Sequence, residues 1–211
     1  MIDYRLRTFT DCDAAVVNDL AVAAFEQFRS EYSDWPAMKA GLRRMSMLSE
    51  IGEIIVAASD GRIIGAVVYV PPGRSKAPFS DRSWPIIRML VVDAAAPGNG
   101  VGRALTEACI ICARRDRSAV IALHTSPIMS IALPMYLRMG FRRVREAPPL
   151  YGVPYAVYLK HLSTGSRDLR HLTDPFSRAP RSEHLLESLR SGPSSIVTVI
   201  SQTSDGRTAR H

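Results

Sequence analysis

Apolar positions along the chain follow two rhythms, and the switches between them divide it into elements. Tyr4 and Leu6 alternate with polar neighbours, as a short first strand would. From Thr10 or Asp11, either able to cap a helix, Ala14, Val17, Leu20, Ala21, Ala24 and Phe25 recur at helical spacing and predict a helix to about Arg29. Pro36 suits a first helical turn, and Met38, Leu42, Met45 and Leu48 share one face, so a second helix is predicted over 36–49. The helical rhythm then stops. Residues 53–58 and 63–70 are apolar and β-branched, and Ser59-Asp60-Gly61-Arg62 between them predicts an antiparallel hairpin. Residues 71–84, rich in Pro, Gly and Ser, are predicted as an irregular loop. A strand at 86–93, a helix at 101–115, a strand at 119–125 and a helix from Ser126-Pro127 to about Gly140 follow. Two further strands, at 141–145 and 154–159, flank a loop at Pro148-Pro149-Leu150-Tyr151-Gly152.

The corner between the strand at 86–93 and the helix at 101–115 reads Pro97-Gly98-Asn99-Gly100-Val101-Gly102. Three alternating glycines leave backbone N–H groups uncovered. At a helix start such groups favour an anion, commonly a phosphate, because the helix dipole acts in the same sense. A dinucleotide-binding corner would need G-x-G-x-x-G inside a parallel βαβ unit and an acidic residue about 20 positions on. Here antiparallel strands come first, and the corresponding stretch is Ile121-Ala-Leu-His124.

Composition narrows the class. The 211 residues make one ordinary domain with an appendage, 46% hydrophobic and 22% charged, as in soluble globular proteins. No apolar run approaches the roughly 18–20 residues of a membrane span, and the first residues lack a signal-peptide core, so a cytoplasmic protein is expected. The net charge of +7 rests on scattered arginines, with lysine only at 39, 76 and 160. That pattern argues against a nucleic-acid partner and suits a surface that attracts an anionic cofactor. Three cysteines make no disulfide framework, and Cys109-x-x-Cys112 without a second pair predicts buried helix positions rather than a metal site. Residues 163–211, rich in Ser and Arg and broken by Gly and Pro, are expected to form a largely disordered or loosely docked tail.

Two separated blocks resemble the GNAT superfamily of acyl-CoA-dependent N-acetyltransferases. One is the corner Pro97–Gly102 preceded by Met89-Leu-Val-Val-Asp93; the other is Ala132-x-x-x-Tyr136-x-x-x-Gly140-Phe141. The resemblance covers residues 1–162. It implies an α/β (α+β) fold with a mixed, mostly antiparallel central sheet of about six to seven strands and about four helices. It further implies acetyl transfer from acetyl-CoA to a primary amine of a small molecule or peptide, by direct attack in a ternary complex, with no metal. The alternative from the same fold is a non-catalytic acyl-CoA-binding regulatory domain. An exposed strand edge near the C-terminal end of the domain would permit a homodimer.

The resemblance also implies roles. The pyrophosphate would rest on Gly98, Asn99, Gly100, Val101, Gly102 and Arg103, and the pantetheine arm would pair with Leu90, Val91 and Val92. A backbone N–H near Val92 would act as an oxyanion-hole donor, and Tyr136 would be the general acid for the leaving thiolate. Pro97 stands where the family usually has Arg or Gln, and Met129 where many members have an Asn, so phosphate binding is left to the backbone and Arg103. The general base is not readable from the sequence: Asp93 and His124 lie near strand ends that could face the site, but a surface or structural position is the stronger reading for both. Phe28, Tyr32, Trp35, Trp84, Tyr151 and Tyr155 would frame the acceptor cleft, or simply pack.

Overall fold

A computed structural model describes residues 3–96 and 98–162; the predicted tail at 163–211 and Pro97 lie outside the described residues. Seven strands form one sheet: β1 (Arg5–Thr8), β2 (Glu53–Ser59), β3 (Arg62–Val70), β4 (Ile86–Val92), β5 (Val120–Thr125), β6 (Arg142–Leu150) and β7 (Val153–His161). Their order is β1-β2-β3-β4-β5-β7-β6. Every neighbouring pair is antiparallel except β4–β5. The four α-helices among the described residues are α1 (Ala14–Glu26), α2 (Trp35–Leu42), α3 (Val101–Arg115) and α4 (Ala132–Arg138).

Each face of the sheet carries its own apolar core. Ile55, Val67, Tyr69 and Ile87 pack with Leu105, Cys109 and Ala113 of α3 and with Tyr136 and Phe141. Ile54, Val56, Val68 and Ile86 pack with Val17, Leu20, Trp35 and Leu42 from α1 and α2. Strands buried on both faces read as unbroken apolar runs, which is why 53–58 and 63–70 show little alternation.

Both hairpins turn on two residues of positive φ. Asp60 and Gly61 have φ of 48° and 76°, and Tyr151 and Gly152 have φ of 47° and 81°. Such turns match the right-handed twist of the strands they join. The second hairpin corrects the predicted loop at 148–152. Pro148 and Pro149 lie inside β6, which runs to Leu150 and pairs with Val153 across the turn. Proline cannot donate to a ladder, but β6 is the outer strand with β7 on one side only, and the register slips at Ala147/Leu150.

The predicted helices are shortened where tighter turns take over. A 3₁₀ turn at Asp11–Asp13 precedes α1 and another at Arg29–Glu31 follows it. Helix α2 starts where the Asp34 carboxylate accepts from the Ala37 N–H at 2.9 Å, and gives way to a 3₁₀ segment at Met45–Glu50. Helix α4 begins at Ala132, not at Ser126-Pro127, where the chain turns with the Met129 N–H on the Ser126 carbonyl at 3.0 Å.

Helix α3 is held along its length. Leu105, Thr106, Ala108, Cys109, Cys112 and Ala113 are buried, at roughly 1.5–3 kcal/mol for each large side chain. At its C-terminal end Arg115 pairs with Glu53, and the Tyr69 hydroxyl donates to Asp116 at 2.8 Å. Cys109 and Cys112 are both buried, as the spacing predicts, and burial pushes the Cys112 thiol up to about 11. Among the described residues no helix is long and apolar enough to cross a membrane.

Candidate active site

The parallel pair at the middle of the sheet opens almost at once. Only Ile86–Ala122 and Ile87–Leu123 are bridged between β4 and β5. Beyond them β4 runs on to Val92 while β5 stays with β7. Within this parting β4 carries a bulge. Arg88 faces Val68 and Val91 faces Ala66, so Met89 and Leu90 share the single partner Val67. Met89 sits at φ 51°, a conformation that costs a non-glycine residue about 1–3 kcal/mol and persists where surrounding structure imposes it.

The bulge decides which groups face the cleft. The Asp93 N–H bonds to the Ile64 carbonyl of β3 at 2.9 Å. Peptide groups alternate along a strand, so the N–H and C=O of Val92 point away from β3, into the opening, and those of Leu90 follow the same alternation. Their side chains pack toward α3, whereas Val91 is buried on the α1/α2 side.

The glycine corner stands beside this edge. Gly98 and Gly100 have φ of 73° and 75°, which only glycine adopts at low cost. Gly100 is the N-cap of α3, and no side chain caps the helix. The Ala104 N–H makes the first intrahelical bond, to the Gly100 carbonyl at 2.9 Å, leaving the N–H groups of Val101, Gly102 and Arg103 at the uncapped end. A Cβ at Gly102 would lie 3.6 Å from Val92, 3.7 Å from the Met135 sulfur and 3.8 Å from Leu90. The helix start, the unpaired strand edge and α4 therefore converge on one point. An anion is well placed at that helix end, and an extended chain can pair with the β4 edge. The Arg103 guanidinium is engaged with Glu107 at 2.8 Å.

Tyr136 comes from α4. Its ring packs edge-on against Phe141 with centroids 5.7 Å apart, and the residue is 5% exposed. No buried side-chain oxygen among the described residues lacks a partner, and no hydrogen bond among them engages the Tyr136 hydroxyl, so Oη meets solvent at the rim of the packed ring. Burial, with Cys109 nearby, raises its pKa above the ordinary phenol value, and it is protonated at neutral pH.

The two candidate bases differ. The Asp93 carboxylate accepts from the Ala95 N–H at 2.9 Å, a role in the turn after β4. His124 lies on β5 at the parting, under the ring of Phe79 (4.6 Å between centroids), with Nε2 3.2 Å from the Ser80 hydroxyl. Burial, then Arg88 and Arg145, lower its pKa from 6.5 to about 4, and the imidazole is neutral at pH 7. An unfolded chain takes up this proton near pH 6.5 while the folded one resists until about 4. Stability should therefore rise with pH between those values and be fully present above 6.5. Thermal melts from pH 4 to 7.5 check this: the slope of wild type minus His124→Gln should vanish above pH 6.5.

The aromatic frame is mostly packing. Tyr32 and Trp35 are buried, with rings 6.2 Å apart, and the Tyr32 and Tyr155 hydroxyls lie 2.8 Å from each other. Trp84 carries the Arg145 guanidinium 5.4 Å above its ring, and Arg145 also donates to the Phe79 carbonyl at 2.7 Å. The loop at 71–84 is thereby held to β6, and through Phe79 and Ser80 to His124 of β5.

Residues 50–143 match the family model for the acetyltransferase (GNAT) domain. N-acetyltransferase 8F1 of Rattus norvegicus is 31% identical over 101 residues, 48% of this chain and 44% of that protein. N-acetyltransferase 8B of Mus musculus is 30% identical over 91 residues, 43% and 38% of the two chains. The chain thus spans less than half of these curated relatives. Among solved structures, the histone acetyltransferase HPA2 and related acetyltransferase of Corynebacterium glutamicum superposes with a TM-score of 0.60 at 24% identity, over 79% of this chain and 99% of that one. The structure of yncA from Salmonella typhimurium with its cofactor acetyl-CoA superposes with a TM-score of 0.56 at 18% identity, over 77% and 96%. The similarity to the GNAT acetyltransferase domain is thus carried by residues 50–143, and the sheet order and parting strands of this chain belong to the fold it shares with those structures.

Proposed function

We propose that the protein transfers an acetyl group from acetyl-CoA to a primary amine of a small molecule or peptide, both bound at once in the cleft between β4 and β5. The observation that carries this reading is the convergence at Gly102 of an uncapped helix start, an unpaired strand edge and the helix that bears Tyr136. The N–H groups of residues 98–103 hold the pyrophosphate, with Arg103 adding charge once released from Glu107. Leu90, Val91 and Val92 offer the edge to the pantetheine arm, and the Val92 N–H polarises the thioester carbonyl. Acetyl-CoA supplies the activated acyl group. Tyr136 holds at Oη the proton that the departing sulfur needs, because burial keeps the phenol protonated.

A screen of primary amines with acetyl-CoA, read as release of CoA thiol, tests the reading. Turnover of at least one amine, together with saturable acetyl-CoA binding, is expected. Binding with no turnover on any amine would overturn it in favour of a non-catalytic acyl-CoA-binding domain.

A further inference from the structure

The parting of β4 from β5 has a second face, on the side of α1 and α2. Ile87–Leu123 is the last bridged pair, so Arg88 and His124 stand next in register, one on each lip. Ile86 belongs to the core under α1 and α2 and Ile87 to the core under α3, so alternation puts Arg88 on the α1/α2 side. His124, two residues past Ala122 of that same core, shares the face.

The cations around this mouth differ in how they are used. Arg145 lies over Trp84 and donates to the Phe79 carbonyl. Lys76 donates to the Pro71 carbonyl at 2.7 Å. Arg88 is partly buried, yet no hydrogen bond or ion pair among the described residues engages its guanidinium. The carboxylate of Asp81, which lines the same hollow as His124 and Lys76, is committed to the N–H and hydroxyl of Ser83, at 2.8 and 2.6 Å. Desolvation alone lowers the pKa of Arg88, with no opposing carboxylate. A charge withdrawn from water is costly unless it is paired. Nothing in the sheet core requires an arginine here, since its neighbours on that face are Ile86, Met89 and Val91.

We propose that Arg88 receives an anionic group of the acceptor, so that the acceptor is a primary amine carrying a carboxylate or phosphate within a few bonds of its nitrogen. The assignment rests on reading the cleft as the acetyl-transfer site. The planar guanidinium fork matches either anion with two parallel hydrogen bonds. Held on the lip opposite His124, such a group leaves the amine free to reach the opening where Val92 and Tyr136 lie.

The test compares matched probes on the full chain, wild type and Arg88→Gln. L-Phenylalanine is set against 2-phenylethylamine and O-phosphoethanolamine against ethanolamine, with CoA-thiol release as the readout. The anionic member of at least one pair should be favoured by about 10–100-fold in kcat/KM, as charge-assisted hydrogen bonds allow. In Arg88→Gln that preference should vanish while the Kd for acetyl-CoA holds. The two pairs also tell carboxylate from phosphate. A second readout needs no turnover: N-acetyl-L-phenylalanine and N-acetyl-2-phenylethylamine, O-phosphoethanolamine and ethanolamine, titrated into CoA-saturated protein. The same preference should appear and again disappear in the variant. Equal binding and rate within both pairs, or a preference that survives in Arg88→Gln, would overturn the proposal. Selective, Arg88-dependent binding with no acetylation of any amine would instead overturn the acetyltransferase reading and leave the anion site standing.

Discussion

Tyr136→Phe should lower kcat by about 10²–10⁴-fold, the range that a positioned general acid supplies, and leave the Kd for acetyl-CoA unchanged. The variant removes one oxygen from a ring whose packing against Phe141 it keeps. No hydrogen bond among the described residues is lost with it, so Tm should stay at the wild-type value. Burial raises the phenol above its ordinary pKa, which alone would make it a poorer acid. The same desolvation raises the basicity of a thiolate beside it, so donor and acceptor move together and the proton can still be shared. A fall in kcat/KM equal to that in kcat would mark an interaction made only in the transition state. The measurement is steady-state CoA-thiol release on an amine found by the screen, with acetyl-CoA affinity by titration. An unchanged kcat would return Tyr136 to a packing role.

Much of the fold was legible because its signals are local. The Asp60-Gly61 turn, the apolar strands beside it and the amphipathic run from Val101 to Arg115 each specify their own conformation. The glycine corner was readable as a place of little side chain at a helix start, while the positive φ of Gly98 and Gly100 is seen only in the fold. Other features depend on tertiary context. The bulge at Met89 could not be read, because Ile86 to Val92 is apolar on both faces apart from Arg88, and one polar residue sets no alternation whose slip would betray an extra residue. It nevertheless fixes the direction of the Val92 N–H. The prolines of β6 misled for the opposite reason. Pro148-Pro149 is a strong local breaker, and only the strand's place at the sheet edge makes it tolerable. Tyr32 and Trp35 looked as fit for a cleft wall as for a core, and the structure buries both.

The second large effect expected is at Gly65, which no motif marks. It pairs with Val92 across β3 and β4, and α3 crosses directly above it. A Cβ there would fall 2.8 Å from Val101 Cγ1, 3.0 Å from Leu105 Cδ1 and 3.3 Å from the Val91 carbonyl oxygen. Val101 cannot swing aside cheaply, since a β-branched side chain in a helix has essentially one rotamer, and Leu105 is 0% exposed. Helix α3 must therefore lift from β3 at its first turns. Overpacking of this kind costs about 1–3 kcal/mol, and Gly65→Ala should lower Tm by a few degrees to about 10 °C. The same movement separates the N–H groups of residues 98–103 from the edge of Leu90 and Val92, two halves of one binding surface. Acetyl-CoA affinity should fall about tenfold or more, because positioned groups lose effect steeply with displacement. Gly41→Ala is the control. A Cβ at that position in α2 meets nothing within 4 Å, and alanine is the better helix former by about 1 kcal/mol, so Tm should hold or rise and binding should not change. Melting curves and acetyl-CoA titrations of the two variants decide the matter. A Gly65→Ala protein with wild-type Tm and Kd would mean that α3 is not seated on β3 by that contact, and that the corner does not depend on where the helix sits.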